Sequence, residues 1–430
     1  MSCSKCCTTW RIDMTNPCTD AGKNPLVLVD AYSTGALLAR ALAEHRPLIH
    51  VASRSNMPAA FAATCPANLF IQHYNLHELG FDPLCQALAT QHPSAVLTGS
   101  EFGVELADSL AAALGLPGND PGLSASRRDK AQMAERVAAA GLPVAAQLRT
   151  GEVDQACQWF LTEGSSPVVL KPLDSAGSDQ VFICKNVAQV REAANSILGS
   201  TNLMMRQNHE MLAQAYLEGD EYVLNTVSHQ GRHWLTDAWI CTKTLSADGR
   251  KIYDSEYLLH HDDRCLPALI EYVEGVLNAL AISEGPAHTE VILTADGPRL
   301  LETGARLSGL ANPPALQLAT GADQIDLTIE ACLKPEHLRQ RPGRYQRLQA
   351  ACTLNLIARS RGRFDLDQVS KQLNHLTSFH SARWRFHDGR ALVPTVDLNS
   401  SPGAVFMVHP QPDCIRQDQL AWRTWEQHWL

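Results

Sequence analysis

HTEVILTADGPRLLETGARLSGL, residues 288–310, is the stretch that decides the fold. Residues 290–294 form a β-prone run, residues 295–298 have the composition of a tight turn, and residues 299–303 form a second short run. Two β-prone runs joined by such a turn predict a β-hairpin. Because side chains alternate along strands, acidic residues on the two strands can reach one face of this hairpin.

The hairpin carries Glu290 on its first strand and Glu302 on its second. Two adjacent carboxylates repel each other unless a cation lies between them, and Mg²⁺ is a hard ion that prefers oxygen ligands. Arg306 follows in a segment where Gly304 and Gly309 allow the backbone to approach a ligand. Two carboxylates and a guanidinium suit a reaction in which charge develops on a phosphate-bearing substrate. The alternative is an ordinary hairpin with two surface acids and a solvated arginine.

The composition is that of a globular protein with more than one domain. The chain has 430 residues, which is too many for one ordinary core, so we expect two or three domains. The net charge of −9 argues against nucleic acid as a partner, and no apolar run approaches the length of a membrane span. Residues 1–13 have no apolar signal core, so we expect a cytoplasmic protein without a membrane partner.

The 13 cysteines are scattered, as expected for buried thiols in a reducing compartment. Cys3, Cys6 and Cys7 cluster within residues 1–24, which we interpret as a tail. A zinc site needs a fourth ligand and only Cys18 is near, so we assign no metal to this cluster.

The region after the tail alternates between strands and helices. Residues 26–30, 47–52 and 95–98 have strand composition, and residues 36–44 and 103–114 have helical apolar spacing. This alternation predicts a parallel α/β domain with ligands at the carboxyl ends of its strands. The small and polar residues near these ends are Ser33, Gly35, Ser100 and Glu101. We interpret them as turn and cap residues, with direct ligand contact as the alternative.

The next region predicts a linker and a helix. Residues 115–125 are rich in glycine and proline, which indicates a domain boundary. Residues 124–140 predict a helix with Lys130 in its first turn. A helix N-terminus attracts anions and a lysine adds a positive charge, so this end of the helix suits a phosphate.

A second lysine lies beside a loop of small residues. The predicted strand 166–172 contains Lys171 near its end, and the Ser/Gly-rich loop 173–178 follows before a strand at 181–184. Small residues let backbone N–H groups approach phosphate oxygens, so the arrangement resembles a phosphate cradle. The alternative is an ordinary exposed hairpin with a lysine at its edge.

The second half predicts antiparallel strands, helices and one long loop. Residues 245–263 contain Tyr253, Glu256, His260 and His261 without clear periodicity, so we expect a loop of the kind that is often functional. Adjacent histidines on a strand diverge, so we expect no transition-metal site. The remaining predicted strands are 222–228, 233–241, 349–358, 393–397 and 404–409, and the helices are 186–200, 264–280 and 323–333.

Residues 25–340 together resemble an ATP-grasp ligase. The parts that carry the resemblance, in chain order, are the α/β region, the helix with Lys130, the strand with Lys171 and its loop, the segment QAYLEGDE at 214–221, and the hairpin with Glu290 and Glu302. The resemblance implies an α/β (α+β) ATP-grasp fold with an N-terminal Rossmann-like pre-domain, a small central lid domain and a C-terminal antiparallel-sheet domain. It places the domains at 25–120, 121–210 and 211–430, with a terminal extension at about 341–430 that receives no chemical role.

Within this fold the chain most resembles the L-amino-acid ligases, which form dipeptides. The motifs behind the resemblance are HTEV at 288–291, DGP at 296–298 and ETGARLSGL at 302–310. The ATP-binding residues that it implies are Lys130, Lys171, Ser175, Gly177, Ser178, Gln214, Tyr216, Leu217 and Glu221. The other implied residues are Glu290 and Glu302 for the metal, Arg306 for catalysis, and His288, Gly309 and Leu310 for the substrate.

The implied function is an ATP-dependent ligation of two L-amino acids through an aminoacyl phosphate, with release of ADP and phosphate. The implied cofactors are ATP and Mg²⁺, with Mn²⁺ as a substitute, and a homodimer is implied by the resemblance alone. Two residues depart from the family pattern: Gly304 replaces an asparagine metal ligand, and Gln214 replaces an acid. Alternative functions are a ligase for a non-α-amine, as in carnosine-type synthases, and a non-catalytic ATP-binding protein. A biotin-carboxylase-like enzyme is less compatible because no biotinyl-lysine setting is found.

Overall fold

The computed structural model describes residues 23–163, 167–245 and 251–429. The tail prediction for residues 1–24 and the Cys3, Cys6 and Cys7 cluster therefore lie almost wholly outside the described residues. The first part of the chain forms a parallel sheet, here called the N-terminal sheet, with strand order β3-β2-β1-β4. Its strands are β1 (Leu26–Val29), β2 (Leu48–Ala52), β3 (Phe70–Asn75) and β4 (Ala95–Thr98).

Three of these strands confirm the predicted α/β region, but β3 was not predicted. It is an edge strand with exposed Gln72 and His73, so it lacks the apolar run of a buried parallel strand. The helices of this part are α1 (Thr34–Ala43), α2 (Ala59–Ala62), α3 (Leu76–Leu79), α4 (Phe81–Ala89) and α5 (Val104–Ala113), with short 3₁₀ helices at Ala67–Leu69 and Glu101–Gly103.

The predicted linker and helix after α5 differ from the structure in their bounds. Residues 121–127 form a 3₁₀ helix, and the α-helix α6 begins at Lys130 (Lys130–Ala139) instead of residue 124. The Asp129 side chain accepts hydrogen bonds from the N–H groups of Ala131 and Gln132. Asp129 is therefore the N-cap that sets the start of α6 and places Lys130 in its first turn.

The central part forms a second sheet, here called the middle sheet, with strand order β5-β8-β6-β7 and antiparallel pairs. Its strands are β5 (Gln147–Thr150), β6 (Val168–Pro172), β7 (Phe182–Cys184) and β8 (Met211–Ala215). Helices α7 (Val153–Glu163) and α8 (Val187–Ile197) pack against it around a buried cluster that includes Val168, Leu170 and Ala213. The predicted strands and helix of this region are confirmed, whereas the domain limits at 120 and 210 stay predictions.

The C-terminal half builds an antiparallel sheet, here called the large sheet, with strand order β13-β12-β9-β10-β11-β14-β18-β16. Its strands are β9 (Asp220–His229), β10 (Arg232–Leu245), β11 (Lys251–Leu258), β12 (Gly285–Thr294), β13 (Gly297–Gly304), β14 (Ala350–Asn355), β16 (Phe379–Trp384) and β18 (Gly403–His409). A separate small ladder pairs β15 (Gly362–Arg363) with β17 (Ala391–Leu392). The residues 341–430 thus extend the same sheet that carries the hairpin.

Two predictions for this half are wrong. Residues 251–258, predicted as part of a loop, form β11 between β10 and β14. Its buried positions are three residues apart, and the hydroxyl of Tyr253 donates to Glu221 of β9, so the sequence shows no simple alternation. The predicted strand at 393–397 is absent from the described structure, where β17 ends at Leu392 and a serine-rich turn follows.

The remaining helices cover the large sheet. They are α9 (Leu266–Ala279), α10 (Pro313–Thr320), α11 (Gln324–Leu333), α12 (Pro335–Gln340), α13 (Leu366–Leu373) and α14 (Pro412–Trp429). Helix α9 contributes Leu269, Val273 and Val276 to the largest buried cluster, and α14 inserts Trp422 beneath β14 and β18. Among the residues that the structure describes, no helix combines the length and apolar character needed to cross a lipid bilayer.

Candidate active site

The hairpin β12–β13 brings two carboxylates together as the sequence predicts. The register pairs Glu290 with Glu302 directly, and it pairs His288 with Gly304. A bulge follows Glu290, after which Val291 pairs with Leu300. Directly opposed residues of an antiparallel pair lie on the same face, so Glu290 and Glu302 share one face of the large sheet.

Cationic side chains surround the two carboxylates. The Nζ atom of Lys130 lies 2.6 Å from an oxygen of Glu302, and Nε2 of His288 lies 3.4 Å from an oxygen of Glu290. Burial alone would raise the pKa of Glu290, but the hydrogen bond and charge of His288, with the charges of Lys243 and Arg306, lower it to about 2. Glu290 is therefore held ionised, which is the state that binds a metal cation.

The two predicted phosphate lysines both lie beside this pair, but in different environments. Burial lowers the pKa of Lys130, yet the Glu302 carboxylate outweighs this effect and raises it. Lys171 lies on β6 and is buried, and burial together with the charge of Lys130 lowers its pKa to about 8. Lys130 thus keeps its positive charge, whereas the charged form of Lys171 is less strongly stabilised until an anion binds beside it.

The predicted small-residue loop closes over the start of α6. Lys130 donates from Nζ to the carbonyl oxygen of Ser175 over 2.8 Å, and its backbone N–H donates to Leu173. Gly177 and Ser178 both have positive φ, 67° and 62°, a conformation that favours small residues. The loop therefore presents a tightly turned backbone next to both lysines.

Ion pairs attach the same loop to two other parts of the molecule. The Asp174 carboxylate contacts Arg128, just before α6, and Arg206, before β8, at 2.6 and 2.7 Å. Arg206 also contacts Glu105 of α5 at 2.8 Å. Ser175 donates from its hydroxyl to Asp179 at 2.7 Å. The loop is thus linked to the N-terminal region, which the sequence did not predict.

The residues assigned to adenine and ribose lie where the middle and large sheets meet. Gln214 is buried on β8, and Tyr216 and Leu217 follow in the connection to β9. Glu221 on β9 contacts Nζ of Lys243 at 2.5 Å and accepts from the hydroxyl of Tyr253 at 2.8 Å. The sequence analysis gave no role to Lys243 or to Tyr253. Tyr253 received none because it lies on β11, which was predicted as a loop.

Arg306 is held by a carboxylate that the sequence interpretation assigned to a turn. Its Nε donates to Glu101 over 2.6 Å, and the other oxygen of Glu101 is paired with Arg128. Burial would raise the pKa of Glu101, but the two guanidinium groups lower it to about 2. The interpretation of Glu101 as only a turn or cap residue is therefore wrong. Its position just after β4, at the edge where α/β sheets hold ligands, was the available signal.

The glycine at 304 makes room for this carboxylate. A Cβ atom added to Gly304 would lie 2.9 Å from a carboxylate oxygen of Glu101 and 3.3 Å from the guanidinium carbon of Arg306. A larger residue would therefore displace the Glu101–Arg306 pair. The departure from the asparagine of many ATP-grasp enzymes is explained by the ion pair that occupies its place.

The predicted substrate residue Leu310 lines a small cavity under the segment that follows Arg306. Glu256, Asp237 and Trp239 line the same cavity, and burial followed by the charges of Glu290 and Glu221 raises the pKa of Glu256 to about 8. Gly309 lies at the rim of this cavity, and its carbonyl oxygen accepts a hydrogen bond from Arg383 over 2.8 Å.

The C-terminal region also holds this rim. Arg383, on β16, donates to the carbonyl oxygen of Ala311 over 2.5 Å as well as to Gly309. Burial and the neighbouring Arg385 lower the pKa of Arg383 to about 10. Strand β16, in the region 341–430 that received no chemical role from the sequence, therefore holds the segment that carries the predicted substrate residues Gly309 and Leu310.

The two adjacent histidines are placed differently from the prediction. His260 and His261 lie beyond the end of β11, and their rings stack with centroids 4.2 Å apart instead of diverging. Asp262 lies close to both. His260 and Asp262 are exposed, and this surface group lies outside the site, so we assign it no metal.

Comparisons with known proteins agree on one family. The model of the ATP-grasp domain matches residues 164–313. The chain is 32% identical over 401 residues to dapdiamide A synthase of Enterobacter agglomerans, covering 92% of this chain and 94% of that protein. It is 24% identical over 185 residues to the L-arginine-specific L-amino acid ligase of Bacillus subtilis, covering 42% and 43% of the two chains. The crystal structure of an L-amino acid ligase from Bacillus licheniformis superposes with a TM-score of 0.72 at 18% identity, over 93% of this chain and 97% of that one.

Proposed function

Because the chain belongs to the ATP-grasp family and is an ATP-dependent carboxylate–amine ligase, we propose that it joins two L-amino acids into a dipeptide through an aminoacyl phosphate. The single observation that carries the proposal is the row of charges from the loop at 173–178 to the cavity at Leu310. This row of charges provides lysines that can bind phosphates and two paired carboxylates that can bind a metal. It also provides an arginine between the carboxylates and the cavity. The similarity to an L-amino acid ligase supports amino acids as the substrates.

At the phosphate end, Lys130 and Lys171 bind the transferred phosphate from two sides. The backbone N–H groups of the loop with Ser175, Gly177 and Ser178 contact its oxygens. When ATP binds, its anionic oxygens stabilise the charged form of Lys171 and compete with Glu302 for Lys130. Adenine lies at the junction of the sheets beside Gln214, Tyr216 and Leu217, and the ribose hydroxyls bind Glu221 in place of part of its contact with Lys243 and Tyr253.

Glu290 and Glu302 fit a magnesium ion. They face each other in register, are partly buried and offer only oxygen donors, which is the ligand chemistry that Mg²⁺ prefers. ATP-grasp enzymes generally use ATP with Mg²⁺, and the bound ion neutralises charge on the phosphate oxygens. The residues of this chain would supply its anchoring carboxylates, and the charges around Glu290 hold that carboxylate ionised at neutral pH.

The reaction then takes place in two steps between the two ends. A carboxylate oxygen of the first amino acid attacks the γ-phosphorus, and the bond from that phosphorus to ADP breaks. The amine of the second amino acid attacks the activated carbonyl carbon, and phosphate leaves. Arg306, fixed by Glu101, stabilises negative charge on the acyl phosphate and on the tetrahedral intermediate. The loop over the phosphates limits access of water to the acyl phosphate.

At the acyl end, the cavity holds the side chain and amine of the first amino acid. Leu310 lines this cavity and is aliphatic instead of a bulky aromatic, which favours a medium or large side chain in the substrate. Glu256 lies in the same cavity, and a substrate ammonium group would stabilise its ionised form against the burial that raises its pKa. Gly309 presents its backbone at the rim.

The experiment that tests this function measures phosphate release from MgATP with each amino acid alone and in pairs, with mass spectrometry of the products. We expect phosphate release that depends on a pair of amino acids, together with ADP and a dipeptide mass. Phosphate release that requires a different acid or a non-α-amine would replace the proposed substrates. No release with any acid and amine, despite tight ATP binding, would contradict the proposed reaction.

A further inference from the structure

We propose that His288 is a third protein ligand of the metal ion held by Glu290 and Glu302. It takes the place of the asparagine that many ATP-grasp enzymes have at the position of Gly304. His288 and Gly304 are directly opposed in the hairpin register, one pair away from the two glutamates. The residue at 304 has no side chain, and the Glu101–Arg306 pair occupies the space beside it, so any third protein ligand has to come from another strand. This inference rests on the proposed metal site and adds a nitrogen to its oxygen ligands.

A row of residues across three strands fixes the orientation of the imidazole ring. The register places Asp237 of β10 beside Asn225 of β9, and Asn225 beside His288 of β12. The side chains follow the same row: Asn225 donates from Nδ2 to Asp237 over 2.5 Å, and Nδ1 of His288 lies 2.8 Å from Oδ1 of Asn225. Such outer contacts are what orient histidines that bind metals.

The same row decides which ring nitrogen carries a proton. The indole N–H of Trp239, which can only donate, is bound to Oδ1 of Asp237 over 2.5 Å. This oxygen is therefore an acceptor, so the amide of Asn225 must point its NH₂ group toward it and its oxygen toward His288. An amide oxygen only accepts, so Nδ1 of His288 must donate. In the neutral ring, the lone pair is then on Nε2.

Nε2 faces the metal carboxylates. It lies 3.4 Å from an oxygen of Glu290, and the side chain of His288 is only 14% exposed. Two ligands that are each about 2.1 Å from one ion and at right angles to each other are separated by about 3 Å. Either a proton on Nε2 or a cation that both groups bind can lie between Nε2 and the Glu290 carboxylate, so the arrangement fits one ion that replaces this proton and is shared by His288 and Glu290.

A nitrogen ligand has a consequence for metal choice. Imidazole binds transition metals more favourably than it binds Mg²⁺, whereas carboxylates and water suit Mg²⁺ and Mn²⁺ alike. The ratio of the Mn²⁺ affinity to the Mg²⁺ affinity should therefore be larger for the wild-type site than for a site with oxygen ligands alone. The substitution His288→Gln removes the imidazole nitrogen and should lower this ratio of affinities.

The experiment uses the full chain with ¹⁵N-labelled histidine, Mn²⁺ and unlabelled ADP, and it detects electron spin-echo modulation from ligand nitrogen. We expect a ¹⁵N coupling typical of a directly bound imidazole in the wild type, its loss in His288→Gln and its retention in His260→Gln. His260 is an exposed histidine outside the site, so its substitution is a matched control. Mn²⁺ affinity, measured from the free-ion signal, should fall by roughly tenfold or more in His288→Gln.

The outcomes separate this inference from the proposed function. If Mn²⁺ binds with ADP but shows no ¹⁵N coupling, or if the coupling survives in His288→Gln, His288 is not a ligand and the inference is overturned while the ligase function stands. If Mn²⁺ does not bind at all in the presence of ADP, both the metal site and the inference are overturned. Circular dichroism of each variant shows whether the fold is retained.

Discussion

The phosphate end and the acyl end of the site are built in different ways. The phosphate end is assembled from short, local signals: the N-cap of α6, a strand ending near Lys171, a small loop and a hairpin with two acids. The acyl end is assembled from distant parts of the chain, since Leu310, Glu256 and Arg383 come from three separate elements. A motif near one element end could be recognised in the sequence, whereas a cavity made by three elements could not.

The difference also appears in the electrostatics. At the phosphate end each anion has a nearby cation, so Glu290 stays ionised and Lys130 stays charged. At the acyl end burial is less well compensated. It raises the pKa of Glu256 to about 8, which favours the neutral carboxyl at neutral pH, and it lowers the pKa of Arg383 to about 10, at which the guanidinium is still charged. The phosphate end thus holds charged groups of both signs before substrate binds, whereas Glu256 at the acyl end gains its charge when a substrate cation enters.

The largest effect should come from Glu302→Gln, which removes one metal carboxylate from the phosphate end. We expect ATP turnover to fall on the order of a thousandfold, because charge neutralisation at the phosphates is lost. The measurement is phosphate release under saturating amino acids, with Glu336→Gln on the surface of α12 as the control. Turnover near the wild-type value with the fold intact would show that Glu302 does not hold the metal.

The next effect concerns Glu101, which joins the two ends through Arg306. Breaking a buried ion pair leaves an uncompensated charge, so Glu101→Gln should reduce the free energy of unfolding by about 3 kcal/mol. Glu105→Gln breaks a pair with Arg206 that is about two-fifths exposed, and it should cost less than about 1 kcal/mol. Urea unfolding compares the two variants, and equal losses would remove the distinction between these two ion pairs.

A bulky residue at position 310 should next affect the acyl end without affecting the phosphate end. Leu310→Trp fills part of the cavity, so kcat/KM for large first amino acids should fall about 30-fold, since overpacking costs typically 1–3 kcal/mol. Alanine and glycine should be affected little, and ATP affinity should not change. The control is Leu318→Trp on α10, where Leu318 is 46% exposed. An equal loss for all amino acids would mean that Leu310 does not line the side-chain pocket.

The smallest effect is a pH dependence at the phosphate end. Lys171 has a pKa lowered to about 8, so above pH 8 the free protein must take up a proton to bind ATP with a charged lysine. ATP affinity measured by calorimetry should therefore be about tenfold weaker at pH 9 than at pH 7, where the lysine is already protonated. The substitution Lys171→Arg keeps the charge and should flatten the profile. An unchanged slope in this variant would assign the titration to another group.

The sequence by itself determined the ATP-grasp fold and the local elements that carry the residues of the proposed phosphate end. The hairpin register, the place of Lys130 and the strand with Lys171 follow from local rules of strand pairing, capping and turn composition, which act over a few residues. It failed at β11, where buried polar residues interrupt the apolar alternation that indicates a strand.

Only the tertiary structure decided which distant side chains meet. Glu101 is about 200 positions before Arg306 in the sequence, and its side chain bonds Arg306 because the N-terminal sheet docks against the hairpin. Arg383 reaches the rim of the cavity because β16 joins the sheet that carries the hairpin. Such contacts depend on packing between elements far apart in the chain, for which spacing and composition carry no signal.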